Sequence, residues 1–361
     1  MSHMTHTLPK DASATIGSPL ARFLEPRPDN WPLMMLVAFA LAVPALAFLS
    51  PKASFWTCLL LVAFASGSVV YNAWGRYQGG LLIAPAIALL FVMNIFPLLW
   101  SLGLSFFSYK ANVAVPPIFV GLSNYQKVLT DPTAWDRLQN TAIMGLLTVS
   151  IQMVVGFSLA MLFSKQFPLR RYLLILVLTP MMLSYVAIGA FFRYYYEPTF
   201  GLLSQATRFF TGEPYILLGT AGGSIAGIVI ADAWMWSPFV MLLVLAGLVS
   251  VPKYLYEAAA IDRVSAWRRF WTITFPFVRS LLLLALLFRT IEAFKLFDVA
   301  FLLTEGGPGT STETIAIYVY RQAIQFNKTS EAAALSYILL FTVIVLTNLY
   351  LYIANRRTTE A

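Results

Sequence analysis

Cysteine and histidine are nearly missing from this chain: Cys58 is its single thiol, and His3 and His6 are its only imidazoles. One cysteine excludes an internal disulfide. Both histidines lie in the N-terminal tail, so the apolar body cannot assemble a His/Cys zinc site or a Ser-His-Asp triad. No GxxxxGK[ST] segment occurs, which leaves the chain without a P-loop of its own. Charge is scarce too. Charged residues make up 11% of the chain against 59% hydrophobic, with a mean hydropathy of +0.74, far from the balance of a soluble globular protein. No secretory-signal pattern opens the chain, whose first thirty residues are polar and include Asp11, Glu25 and Asp29. No internal repeat is evident, and inverted repeats mark many secondary transporters.

What the chain does have is apolar runs of membrane length. About 20 apolar residues cross a bilayer core as a helix. Eight such runs stand at 31–50, 54–73, 80–103, 141–163, 172–194, 225–250, 278–302 and 334–354. Long helical runs, rather than alternating ten-residue segments, predict an all-α polytopic membrane protein of eight transmembrane helices over a β-barrel. Between the runs, 104–140 carries Pro-Pro, Gly-Leu-Ser-Asn and Asp-Pro steps, with one short helix expected from about Ser123 to Leu129. The segment LTEGGPGTSTET at 303–314 is a bend that no membrane helix could continue through.

The segment 257–276, EAAAIDRVSAWRRFWTITFP, is unlike any other connection. Its Glu257, Asp262, Arg263, Arg268 and Arg269 stand among Ala, Trp, Phe and Ile, a mixture suited to a short amphipathic helix lying against another protein at the membrane surface. The stretch AGLVSVPKYLYEAAAID that leads into it, the closing Ile273-Thr274-Phe275-Pro276, Trp234 and Pro238-Phe239, LTPMML at 178–183, GLSNY at 121–125 with Asp131-Pro132, and LTEGGPGTSTET agree in order and spacing over roughly 80–355. Together they resemble the permeases of binding-protein-dependent ABC importers, carbohydrate branch, with the two additional N-terminal spans of the larger, maltose-type subunits. Two departures stand out. Arg263-Val264 replaces the Gly-Ala that usually follows the loop aspartate, and Ser330-Glu331 replaces a more usual Gly-aromatic pair.

The resemblance implies a division into a cytosolic tail (1–30), two additional transmembrane helices (31–78), a six-helix core (79–355) with a coupling loop at 251–277, and a cytosolic C-terminal tail (356–361). It implies a second related permease, two copies of a cytosolic ATPase and an extracytoplasmic binding protein as partners, in a bacterial cytoplasmic (inner) membrane. Being an ATPase-driven subunit, the chain is expected to be no enzyme by itself and to bind no cofactor; ATP and Mg belong to the partner ATPase. With the coupling loop placed in the cytosol, 14 of the 24 basic residues fall in cytosolic segments, seven in outer segments, and Arg193, Arg289 and Lys295 inside spans. That split obeys the positive-inside rule and puts both termini in the cytosol. The net charge of +8 is therefore topogenic, and no nucleic-acid partner is expected.

Two sets of candidate functional residues follow. In the coupling loop, Glu257 is expected to anchor the helix to the ATPase, with Ala258 and Ala259 permitting close approach and Tyr254, Asp262, Trp267 and Phe270 beside them. Ser265 is placed to cap a second helix despite Arg263. Within the spans, Arg289, Glu292, Lys295 and Asp298 recur at intervals of three, so neighbouring members can meet on one helix surface. An unpaired arginine at mid-membrane costs about 2.5–3.5 kcal/mol, so Arg289 is expected to pair with Glu292. Asp232, the only ionisable residue of its span, must find a partner or water, and Trp234 and Trp236 could stack on sugar faces or serve as ordinary interface aromatics. These seven residues are the candidate substrate pathway. Two rival readings use the same carboxylates, as proton carriers of a secondary transporter or as the acids of an intramembrane enzyme.

Overall fold

A computed structural model describes residues 78–113 and 115–359. The spans expected at 31–50 and 54–73, with Cys58, lie outside the described residues. The chain divides into two compact units, Met1–Leu99 and Trp100–Ala361. The boundary falls within α2 (Phe96–Ser105), into which α1 (Gln78–Leu90) runs through a π-helical turn at Phe91–Ile95, and Pro85–Ser105 is long and apolar enough to cross a membrane.

In the second unit a two-stranded antiparallel pair, β1 (Phe107–Ser108) and β2 (Ile118–Phe119), precedes α3 (Ser123–Thr130) and adds a small exception to the all-α expectation. Next comes α4 (Pro132–Phe163), whose start is set by Asp131: its carboxylate accepts the Thr133 N–H at 2.9 Å, and Pro132 fills the first turn where no N–H is needed. The run expected as one span at 172–194 is broken. A first helix, α5 (Arg170–Leu178), gives way to a 3₁₀ turn at Thr179–Met182, and α6 (Tyr185–Tyr195) restarts at 101° to it. Pro180 cannot donate into a continuing helix, and Ser184 starts the new one by accepting the Ala187 N–H at 3.2 Å. The amphipathic α7 (Leu202–Thr211) then leads to α8 (Ala221–Ser250), which keeps Pro238 in its interior.

The coupling segment folds as α9 (Lys253–Ile261) and α10 (Ala266–Arg269), and a π-helical turn at Phe270–Thr274 carries the chain into α11 (Phe275–Ala293). The span expected at 278–302 is thereby corrected: the membrane helix runs over Ala266–Ala293, and Asp298 opens a separate helix, α12 (Asp298–Thr304). The Gly-Pro bend follows as expected, leaving the helix through Glu305 and Gly306 with positive φ. Finally α13 (Ile315–Tyr320) precedes α14 (Thr329–Thr359). Five described helices are long and apolar enough to span a membrane, or six if the bent pair counts as one.

The bend is pinned by one buried carboxylate. Glu313 receives Arg137 Nε of α4 at 2.5 Å and Arg321 Nη1 at 2.6 Å, while Arg321 Nη2 donates to the Glu305 carbonyl at 2.6 Å. Tyr318 donates to Asp131 at 2.8 Å, and burial together with that bond pushes its hydroxyl up to about 12.

Around α8 the core has two apolar clusters separated by a polar layer. Met144, Ile188, Ile228 and Val299 belong to one; Ala160, Phe163, Val244 and Val278 belong to the other, nearer the coupling segment. Helices α4 and α8 approach closely because Gly156 has no side chain. A Cβ there would stand 2.6 Å from the Val240 Cβ and 2.7 Å from the Ser237 carbonyl. Outward surfaces of the spans expose Ile, Leu, Val and Phe, as helices facing lipid do.

Candidate functional site: a coupling loop and a buried charged layer

The segment expected to be the coupling loop is a helix-turn-helix. At the end of α9 the Arg263 N–H donates to the Ala260 carbonyl at 3.2 Å and the Val264 N–H to the Ala259 carbonyl at 2.9 Å. This pair of bonds is a Schellman motif, which requires a left-handed residue at its turn. Arg263 is that residue, with φ 51°. Ser265 caps α10 as expected, accepting the Arg268 N–H at 3.3 Å. The loop is tied to the membrane helices by Tyr256, whose hydroxyl meets the Thr274 hydroxyl at 3.1 Å, and by Phe270, set edge-on against Phe157 of α4 at 5.9 Å.

The exposed face of the loop carries Tyr254, Glu257, Ala258, Asp262 and Trp267. Ala259 is buried and Phe270 half-buried against its own chain, so these two position the loop and do not present a free surface. Ile261 is 82% exposed at the tip of α9. It was not singled out from the sequence, where an isoleucine beside a membrane span reads as core.

The left-handed arginine gives a direct test. An L-residue in this conformation costs about 1–2 kcal/mol, which glycine avoids while losing about 0.5–1 kcal/mol of unfolded-chain freedom. Arg263→Gly is expected to stabilise the turn by about 0.5–1 kcal/mol. Hydrogen exchange at the Arg263 position and Val264 amides should slow about two- to fivefold. Unchanged or faster exchange would show that the arginine side chain compensates the strain.

In the polar layer between the two apolar clusters, the expected Arg289–Glu292 pair is absent. Arg289 Nη2 instead lies 3.3 Å from Asp232 Oδ2 on α8, and Arg289 Nε donates to Gln152 Oε1 on α4 at 2.7 Å. Gln152 Nε2 donates in turn to Asp232 Oδ2 at 2.7 Å. The amide thus accepts from the cation and donates to the anion, which fixes its orientation. The guanidinium also sits 4.6 Å from the Trp236 ring centroid, a cation–π contact. All three polar residues are buried. Glu292 pairs with Lys295 at 3.1 Å instead, Lys295 exposed and Glu292 half-buried. Because α11 ends at Ala293, the spacing of three that linked the four charges in sequence is interrupted after Glu292.

A cavity of about 190 Å³ opens beside this layer, lined by Asp232 and Arg289 together with Thr148 and Tyr185. The buried Thr148 hydroxyl on its wall has no protein partner. Glu292, Lys295 and Asp298 complete the rim. Trp234 lies elsewhere, stacked on Phe191 at 6.0 Å, so the tryptophan pair is divided between two environments. Among the described residues no group of three or more His, Cys, Asp or Glu is arranged to hold a metal.

Residues 152–360 match the family described as the binding-protein-dependent transport system inner membrane component. The chain belongs to this family. The permease is 34% identical over 286 residues to the sulfoquinovosyl glycerol transport system permease protein of Agrobacterium fabrum, a match covering 78% of this chain and 92% of that protein. It is 32% identical over 272 residues to the trehalose/maltose transport system permease protein of Thermococcus litoralis, covering 74% and 92%. Among solved structures, a chain of a bacterial ABC transporter for the acidic polysaccharide alginate superposes with a TM-score of 0.69 at 18% identity, covering 80% of the permease and 98% of that chain, a likeness of fold. The permease is accordingly a multi-pass inner-membrane component of an ABC importer, with ATP hydrolysis assigned to a separate subunit.

Of the residues that build the permease's charged layer, Gln152, Thr148 and Tyr185 were not found from the sequence. A glutamine in an otherwise apolar run is a signal that could have found Gln152, since a buried amide needs partners for both its ends.

Proposed function

We propose that the permease is the larger, maltose-type subunit of an importer for a carbohydrate or carbohydrate-like solute. The exposed face of the α9–α10 loop carries this reading: Glu257, with Tyr254, Ile261 and Trp267 around it, forms a charged and apolar patch on a rigid turn fixed to α4 and α11. That is the chemistry of a docking surface, with a charge-assisted anchor inside an apolar ring. The occupant is one of two cytosolic ATPases, which bind ATP and Mg. A second, related permease takes the other ATPase, and a periplasmic binding protein delivers the solute to the opposite end. Closure of the ATPases moves the loop, and the spans follow as rigid elements. Coupling loop and both termini face the cytosol, as the distribution of basic residues supports.

The carbohydrate class is supported by the names of the relatives, which transport sulfoquinovosyl glycerol, trehalose or maltose, and lactose. The cavity beside Asp232 and Arg289 fits a place on the path. Its walls offer hydroxyl, carboxylate and guanidinium groups, and the open Thr148 hydroxyl would be satisfied by a solute hydroxyl. At about 190 Å³ it is below the roughly 300 Å³ of an ordinary ligand pocket, so the companion permease completes it.

Glu257→Lys is expected to leave the permease inserted but to abolish co-purification of the ATPase and ATP-driven uptake. A cysteine at Ser311 should react with an impermeant thiol reagent from outside, and one at Ser265 should not. Normal co-purification and uptake in Glu257→Lys would remove the docking assignment. Uptake that survives ATP depletion and collapses with the proton gradient would establish the rival proton-coupled transporter.

A further inference from the structure

Helix α7 is built inside out. Seen down its axis at 100° per residue, Phe209, Leu202, Ala206, Phe210 and Leu203 fill one arc of about 120°, and Gln205, Arg208, Ser204, Thr211 and Thr207 fill the other. In a soluble protein the apolar arc would face the core. Here two residues of the polar arc, Ser204 and Thr207, hold the helix to its own protein, while Gln205, Arg208 and Thr211 are exposed. Ser204, 1% exposed, donates to the Glu197 carbonyl at 2.9 Å, and the Thr207 hydroxyl accepts the Tyr215 N–H at 3.0 Å. Most of the apolar arc faces outward, with Phe209 84% and Phe210 82% exposed and Leu202 exposed beside them. Phe200, two residues before the helix, is also exposed and packs on the exposed Tyr194 at 6.1 Å, which links the stripe to the end of α6.

We propose that α7 lies in the membrane interface, with Phe209 and Phe210 entering the boundary between headgroups and acyl chains. Removing a phenylalanine side chain from water is favourable, and two adjacent rings left in water would forgo that gain. An interfacial helix of this kind seats its apolar face about 5–10 Å deep, with Arg208 level with the phosphates. The stripe is one face of a ten-residue helix. Its five apolar residues are far fewer than the roughly 20–30 residues a side of a stable protein interface, which favours lipid over a protein partner. The helix sits opposite the coupling loop: α7 precedes the N-terminal end of α8, and the loop follows its C-terminal end about 45 Å away. The orientation proposed above therefore assigns it to the outer leaflet. There it would hold the bent α5–α6 pair at a fixed depth.

The test is a spin label at Phe209→Cys, Phe210→Cys, Arg208→Cys and Thr211→Cys, each with Cys58→Ser, in the complete transporter reconstituted into phosphatidylglycerol-containing vesicles. Oxygen should relax the labels at 209 and 210 several-fold more than a water-soluble nickel chelate does, with the preference reversed at 208 and 211. Nickel preference at all four positions would place α7 in water and overturn the proposal. Exclusion of both reagents at 209 and 210 would mean a protein covers the stripe, the companion permease or the binding protein, and would overturn it equally. The label contrast does not depend on transport, so a failure of the importer reading, seen as altered uptake, is separately visible.

Discussion

Arg289→Met is expected to lower the folded yield of the permease sharply, and adding Asp232→Asn is expected to restore most of it. The single change leaves the Asp232 carboxylate buried beside Gln152 with no cation. Stranding one partner of a buried pair costs about 3–5 kcal/mol, while removing both charges is often nearly neutral. Asp232→Asn alone should be as damaging, since it strands the guanidinium of Arg289. Glu292→Gln should change stability little, because its partner Lys295 is exposed and such pairs contribute about 0–1 kcal/mol. Folded yield and the apparent unfolding midpoint in detergent, followed by size exclusion, measure all four variants. Additive losses in the double variant would remove the pairing. If yield returns but uptake does not, the pair also serves the solute path. If both return, its role is confined to holding α4, α8 and α11 together.

A second large effect is expected at Glu313. It is 3% exposed and is the only carboxylate among the described residues that pairs with both Arg137 and Arg321. Through them it joins α4, the Gly-Pro bend and α13. Glu313→Gln keeps the shape and an acceptor but leaves two guanidinium groups facing each other, a loss of about 3–5 kcal/mol. The bend should then detach: a cysteine at Thr312, which is buried in the bend, should react with thiol reagents several-fold faster than the same cysteine with Glu313 in place. The coupling loop lies at the other end of α8, so ATPase co-purification should be unchanged. Equal reactivity of Thr312→Cys with and without Glu313→Gln would show that the backbone bonds of the bend suffice without the charges.

These two clusters differ in how far they could be read from sequence. Asp232 was marked as a carboxylate that had to find a partner, and that held. The partner was misassigned because a spacing of three on α11 permits a pair without requiring one: Arg289 is turned to Gln152 and Asp232 on neighbouring helices, and Glu292 to Lys295. Pairing across helices then brought Arg289 to Asp232, 57 residues away. The broken run at 172–194 has a similar cause. Its apolar composition meets the requirement of a span, but Pro180 and the capping Ser184 divide it into two helices at 101°. In the coupling loop, Arg263 stood out only as a departure from the glycine usual in the family. The structure gives the reason for that glycine, since the Schellman turn needs positive φ at this position.

The sequence by itself determined that the chain is a helical membrane protein, roughly where several of its described spans run, that the segment at 257–276 departs from the other connections, and that Ser265 caps the second helix of that segment. These follow from local causes: run length against bilayer thickness, capping residues and turn residues act over a few positions. Only the tertiary structure decided which charges meet, which face of each helix is covered, and that α7 turns its phenylalanines outward. Those depend on which helices lie side by side, and a contact such as Gln152 with Asp232, 80 residues apart, leaves no local trace in the chain.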